Sequence, residues 1–268
     1  MRLKIPLFFL SFIALMALVA PLLSPYAYSD IHLPLKNSPP SLQFLFGTDE
    51  LGRDIFTRIW VGARVSLFVG CTAALVDLVI GVIYGSIAGM WGGKIDECLM
   101  RLADILFSIP YLLVVILLTV FMGPGLFTII LALTFTGWIP MARIVRSQIL
   151  QLKELEYAQA ARALGASSFR LLFRHLLPNA LGPIITTVTF TIPLAIFAEA
   201  FLSFMGLGIQ APAPSWGTMA SDGLPALRYY PHRLFFPASA ICITMLSFNL
   251  IGDTLRDIFD PRLKPCSR

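Results

Sequence analysis

Two carboxylates stand inside long apolar runs, Asp77 within Leu67 to Met90 and Glu199 within Ala180 to Met205. A carboxylate at membrane depth is costly and must face protein or water. Each is therefore either a contact for a polar solute or gate, or one end of a hydrogen bond between helices. A third acid, Asp222, follows Trp216 and Gly217 in the segment after the fifth apolar run. It is a candidate contact for a protein arriving from outside, or a solvated loop residue. Nucleophilic and acid–base chemistry finds no support: His32, His175 and His232 all fall outside the apolar runs, and Asp77 has no second Asp at its depth. Cys71, Cys98, Cys242 and Cys266 are far apart with no CxxC pair, so no metal site or disulfide framework is indicated. The lone Gly93-Lys94 pair lacks a glycine five positions earlier, so there is no phosphate-cradling loop and no bound cofactor is implied. These residues suit a passage for solutes better than an enzyme.

The elements that must position them are membrane helices. Of 268 residues 57% are hydrophobic and 13% charged, about half the charged fraction of a soluble domain. The mean hydropathy is +0.81. At about 20 residues per span, six runs read as transmembrane helices: Ile5 to Leu23, Leu67 to Met90, Ala103 to Met122, Leu126 to Met141, Ala180 to Met205 and Leu234 to Gly252. The first is read as a span rather than a cleaved leader, because cleavage after Ala20 would place Leu18 and Pro21 around the site. Pro110 and Pro193 fall inside spans and should bend them.

Four regions result. Residues 1–25 hold the first span, and 26–63 a proline-rich outer loop. Residues 64–253 form a core of five helices, and 254–268 a tail. From Gly52 to Ser66, Ile55, Phe56, Ile59, Trp60 and Ala63 recur at helical spacing opposite Arg53, Asp54, Arg58 and Arg64. That pattern fits an amphipathic helix at the interface, or a wet extension of the second span. With the N-terminus inside, only Lys36, Arg53, Arg58, Arg64, Arg228 and Arg233 lie outside, which leaves fourteen of the twenty Lys and Arg residues inside. The positive-inside rule supports that orientation. The basic residues are spread over four inner segments rather than gathered in one stripe, which excludes a nucleic-acid partner.

The inner segment 142–178 is too long for a mere connection. Leu150 to Leu164 is rich in good helix formers, Gly165 supplies a stop, and Ser167 or Ser168 can cap a second helix. In that helix Phe169, Leu172, Phe173 and Leu176 share one face and Arg170 and Arg174 another, and Pro178 is expected to end it. The expectation is a helical hairpin with an apolar and a basic surface, either a docking element or a cover over the membrane surface.

Gln159-Ala160-Ala161, then Gly165, then Leu177-Pro178 resembles the EAA signature of ABC-importer permeases, with Gln159 in the place of the signature glutamate and an acid instead at Glu156. Three further segments resemble the C-type permeases of the dipeptide, oligopeptide and nickel importer branch. These are Phe46 to Asp54, Glu199 to Gly208, and Gly252 to Leu263. The resemblance implies a type I importer permease fold with both termini cytoplasmic, in a bacterial inner membrane and surrounded by lipid. It implies as partners a second permease, two cytoplasmic ATPases and an extracytoplasmic binding protein. ATPase coupling would fall to Glu156, Gln159, Ala160, Ala161, Gly165, Phe169, Arg170, Leu172, Phe173 and Arg174. Peptides are the expected cargo. The alternatives are nickel or another small solute, or a proton-coupled transporter using Asp77 or Glu199. The absence of histidine from the spans tilts against a nickel pathway built from protein ligands.

Overall fold

The computed structural model describes residues 3–259; Arg2, and Pro261, Arg262, Leu263, Lys264, Cys266 and Arg268 of the expected tail, lie outside the described residues. The described chain is helical: α1 (Lys4–Leu23), α2 (Ile55–Trp91), α3 (Gly93–Phe107), α4 (Tyr111–Met122), α5 (Leu126–Leu152), α6 (Glu156–Ala163), α7 (Ser168–Leu171), α8 (Leu177–Phe204), α9 (Trp216–Gly223) and α10 (His232–Phe259). A π-turn over Leu172–Leu176 joins α7 to α8 without a break. Five helices are long and apolar enough to cross a membrane, and α3 with α4 make a sixth candidate bent by 74°. Large apolar side chains such as Phe8, Leu75, Ile83, Phe121, Leu194 and Phe235 stand exposed on these helices. Such a surface suits lipid and would drive association in water.

The centre of the bundle is α2, which packs against α1, α5 and α8. At about 1.5 Å per residue its 37 residues span roughly 55 Å, well beyond the ~30 Å hydrocarbon core. The expected amphipathic segment from Gly52 to Ser66 is accordingly no separate helix. Its helical part is the first turns of α2, capped by Asp54, whose Oδ2 accepts from the Thr57 backbone N–H at 2.9 Å and its hydroxyl at 2.6 Å. Arg53 and Arg58 are buried rather than turned to water or headgroups.

Farther along, Gly81, Gly85 and Gly89 form a stripe at i, i+4 and i+8 on the face of α2 that meets α5. A Cβ at Gly85 would lie 2.9 Å from Val145 Cβ and closer still to the Ala142 carbonyl oxygen. Stripes of small residues let membrane helices approach at backbone distance, where dispersion and weak hydrogen bonds replace the hydrophobic drive that lipid removes.

Three further expectations change. The third span, expected over Ala103 to Met122, is broken at Ser108–Pro110. Its second part, α4, is about 18 Å long at the α-helical rise. The first, α3, is amphipathic and held to α5 by ion pairs from Arg146 to Asp96 and from Arg143 to Asp104 (2.7 Å). The helix expected over Leu150 to Leu164 is two helices. The first ends as the Lys153 Nζ donates to the Gly89 carbonyl at 3.1 Å, and α6 begins only at Glu156. Pro178 ends nothing. It follows the π-turn, and α8 runs on through it.

Gly85→Leu should abolish the close approach of α2 and α5. Overpacking of this kind costs about 1–3 kcal/mol, and the expected result is a lower unfolding temperature of the purified protein in detergent. An unchanged unfolding temperature would show that the seam does not carry the fold.

Candidate functional site

Three places gather the residues singled out above. The first is the projecting segment from Glu156 to Leu177. A full Schellman cap closes α6: Gly165, at φ +84°, donates to the Arg162 carbonyl (2.9 Å), and Ala166 to that of Ala161 (3.0 Å). Ser167 then caps α7, its hydroxyl accepting from the Arg170 N–H at 3.3 Å. The reversal turns α7 so that Phe169 is 70% and Phe173 53% exposed, with their rings 4.4 Å apart. Arg170 and Arg174 are exposed beside them, as are Glu156, Gln159, Ala160 and Leu164.

Leu172 departs from the expected apolar face. It is 6% exposed and packs with Leu171 and Leu176 against Val145, Ile149 and Ala158. It anchors the element instead of presenting a surface. Gln159 donates from Nε2 to the Glu154 carbonyl at 3.0 Å, a bond that a carboxylate at this position could not make.

The second place is the buried carboxyl of Glu199 on α8, fully excluded from solvent. It accepts from Ser203 Oγ (2.8 Å) on its own helix and from Ser66 Oγ (3.0 Å) on α2. Ser66 Oγ in turn accepts from the Trp216 backbone N–H (3.3 Å), and Trp216 Nε1 donates to the Ile59 carbonyl (3.0 Å). Ser215, the N-cap of α9, reaches Ser203 Oγ at 3.5 Å. Glu199 is therefore the hub of a hydrogen-bonded clamp joining α2, α8 and α9. Asp77 is arranged differently. It is buried in the α2–α5 seam, its Oδ2 2.5 Å from where a Cβ on Gly137 would stand, and among the described residues its Oδ1 has no hydrogen-bond partner.

The third place is a cluster of charge at the other end of the bundle from the projecting segment. Asp49 Oδ1 accepts from the backbone N–H groups of Leu51 and Arg53, both at 2.9 Å, and its Oδ2 meets the Arg53 Nε at 2.6 Å. Arg58 donates from Nη1 to the Tyr28 carbonyl (3.0 Å), and Arg233 bonds Asn37, Glu50 and the carbonyl of Asp222. Asp222 lies in α9 rather than in a loop. Although the residue is exposed overall, the walls around its carboxyl strip away water and, with Glu50 nearby, push its pKa above the usual carboxylate range, opposed by Arg58, Arg53 and Arg233. The burial of these arginines was not read from the sequence. The dense run Thr48-Asp49-Glu50, then Arg53-Asp54, was the available signal. Among the described residues no three His, Cys, Asp or Glu side chains gather as metal ligands.

Residues 81–265 match the family described as "Binding-protein-dependent transport system inner membrane component". The chain is 62% identical over 252 residues to the oligopeptide transport system permease protein OppC of Bacillus subtilis, covering 94% of this chain and 83% of that one. It is 58% identical to the dipeptide transport system permease protein DppC of the same organism, over 96% of this chain and 81% of that one. Against OppC of Escherichia coli the identity is 44%, over 93% and 83%. A chain of the inward-facing MetNI methionine ABC transporter has the same fold, with a TM-score of 0.62 over 75% of this chain and 97% of that one at 20% identity.

The clamp makes a stability prediction. Glu199→Leu strands the hydroxyls of Ser66 and Ser203 and should cost about 1–3 kcal/mol, whereas Glu199→Gln keeps an acceptor and should cost less. Thermal unfolding of the purified variants in detergent would show this order. Equal stabilities would contradict the clamp.

Proposed function

The chain belongs to the binding-protein-dependent transport system inner membrane component family, and on that premise we propose that it is one of two permease subunits of an ATP-driven peptide importer. The relatives at 62% and 58% identity are named as oligopeptide and dipeptide permeases, which supports peptides over nickel as cargo. The protein is a multi-pass component of the bacterial inner membrane. In the proposed arrangement α3 and α4 together form the third of six spans. Both termini and the projecting segment are cytoplasmic in this arrangement, which the excess of inner Lys and Arg supports. The loop from 26 to the start of α2, together with α9, lies outside.

A second permease would seat on the apolar groove between α2, α8 and α10, about 640 Å³ and lined by Leu78, Val82, Leu181, Ile185, Val188 and Phe248. Asp77 faces α5 rather than this groove, and the hydroxyls around Glu199 hold it in place. The hydrogen-bonded clamp favours a structural role for Glu199 over proton carriage. The binding protein would dock at the outer face, within reach of Asp222. This chain supplies no ATPase, and hydrolysis would belong to two separate cytoplasmic subunits.

One observation carries the coupling role: Phe169 and Phe173 are bare aromatic rings at the tip of an otherwise well-anchored element. Large exposed aromatics flanked by arginines are what interface centres use as anchors. Phe169 and Phe173 would fill a groove on the ATPase, while Arg170 and Arg174 would pair with acidic groups at its rim. Gly165 sets the turn between the helices. Glu156, Gln159, Ala160 and Ala161 of α6 would complete the contact. Leu172 serves from inside, fixing α7 to the end of α5. Closure of the ATPases would then move α5 and α8 together and reorient the pathway by alternating access.

The test is a double variant, Phe169→Asp with Phe173→Asp. Both rings are exposed, so the subunit's own unfolding temperature should stay where it is. Co-purification with the ATPases should be lost, and ATP-driven uptake should fall at least about tenfold, the equivalent of ~1.4 kcal/mol or more. Retention of both would overturn the coupling role.

A further inference from the structure

At the outer end of the bundle a cavity of about 250 Å³ opens between Arg53 and Arg58 on one side and Gln210, Ser221 and Asp222 on the other. The two arginines are only 6% and 4% exposed. A single oxygen, Asp49 Oδ2, serves both, at 2.6 Å from Arg53 Nε and 3.5 Å from Arg58 Nε. Glu50 is occupied by Arg233 at 3.3 Å. Among the described residues Asp222 makes no ion pair within 4.0 Å, and the terminal nitrogens of Arg53 and the Nη2 of Arg58 have no hydrogen-bond acceptor. A buried guanidinium without its full set of acceptors is expensive. Here the unsatisfied donors line an opening instead of a sealed core.

Guanidinium forks match the two oxygens of a carboxylate. We propose that this cavity receives the C-terminal carboxylate of a peptide passing from the binding protein into the pathway, with Arg53 as the hydrogen-bonding fork and Arg58 as the charge behind it. Asp222, across the cavity, faces the polar backbone of the incoming peptide. The inference rests on the peptide reading above and adds a recognition step within the permease itself. A carboxylate of the binding protein has the same chemistry, but the arginines are recessed in a narrow cavity that admits a chain end more readily than a folded surface. The floor includes Ser203, which donates to Glu199 at 2.8 Å. An occupant would therefore rest directly on the clamp that ties α8 to α2.

The experiment uses proteoliposomes holding the whole complex, supplied with binding protein saturated in turn with two peptides that differ only in a free or an amidated C-terminus. The reading is the ratio of initial uptake rates, acid over amide. The wild-type ratio should be about ten, since a site built for hydrogen bonds discriminates against a ligand that lacks the matching group. Arg53→Lys, which keeps the charge but loses the fork, should bring the ratio to within about threefold of unity. Because Arg53 also holds Asp49, a second variant is needed. Gln210→Glu, at an exposed residue on the cavity wall, places a competing carboxylate there and should lower the ratio likewise.

A wild-type ratio of one, or an unchanged ratio in Gln210→Glu, would overturn the assignment while leaving the peptide reading intact. Uptake of neither peptide by the wild-type complex would instead overturn the peptide reading. If Arg53→Lys reduced the stimulation of ATP hydrolysis by unliganded binding protein with the ratio unchanged, the carboxylate would be the binding protein's, and the peptide assignment would fail.

Discussion

The close contact between α2 and α5 is the constraint on which the rest of the molecule depends. In lipid, apolar side chains gain nothing by leaving the solvent, so helices associate where their backbones can approach. The stripe of Gly81, Gly85 and Gly89 provides that approach, and it lies along the part of α2 that leads to the projecting segment. Because α5 runs on toward α6, the stripe fixes where α6 and α7 begin. Leu171, Leu172 and Leu176 then dock the element back onto Val145 and Ile149 of α5. A force applied at Phe169 and Phe173 would thus reach α2, α5 and α8 as one body.

Polar groups follow the same logic of enclosure. A hydroxyl or carboxyl in hydrocarbon must find its partner within the protein, and the Glu199 hub does so with Ser66 and Ser203 while Ser215 completes the network. The clamp joins α2 and α8 toward the end remote from the projecting segment and holds α9 against them, whereas the glycine stripe joins α2 and α5 toward the other end. One helix thus carries both fastenings. Its length beyond the membrane lets the charged network of Asp49, Arg53, Arg58 and Arg233 be built on the same scaffold.

Much of this was legible in the residues. Apolar runs bounded by Pro, Gly and charge located the long helices, and Gly165 followed by Ser167 located the reversal between α6 and α7. What escaped was anything that depends on which side of a helix faces protein and which faces lipid, since both are apolar. The pattern Phe169, Leu172, Phe173, Leu176 fits a single α-helical face, yet Leu172 is buried and the two rings are exposed. Pro110 signalled a bend in the third span; that the bend is a full break into two helices at Ser108–Pro110 was not legible, because apolar residues continue on both sides of it. Arg53 and Arg58 read as a wet face because hydropathy does not register that the loop from 26 to 54 folds over them. The glycine stripe shows in its spacing of four, but it sits inside an apolar run that a membrane span alone accounts for.

In the proposed importer this chain forms part of a pathway driven by ATP through its projecting segment, and not by an ion gradient. This is tested most directly by peptide uptake into proteoliposomes holding the complete complex, with binding protein outside, ATP inside and a protonophore present. Uptake that continues at its original rate with the protonophore and stops when internal ATP is removed is the predicted result. Uptake that ceases with the protonophore while internal ATP is held constant would contradict it.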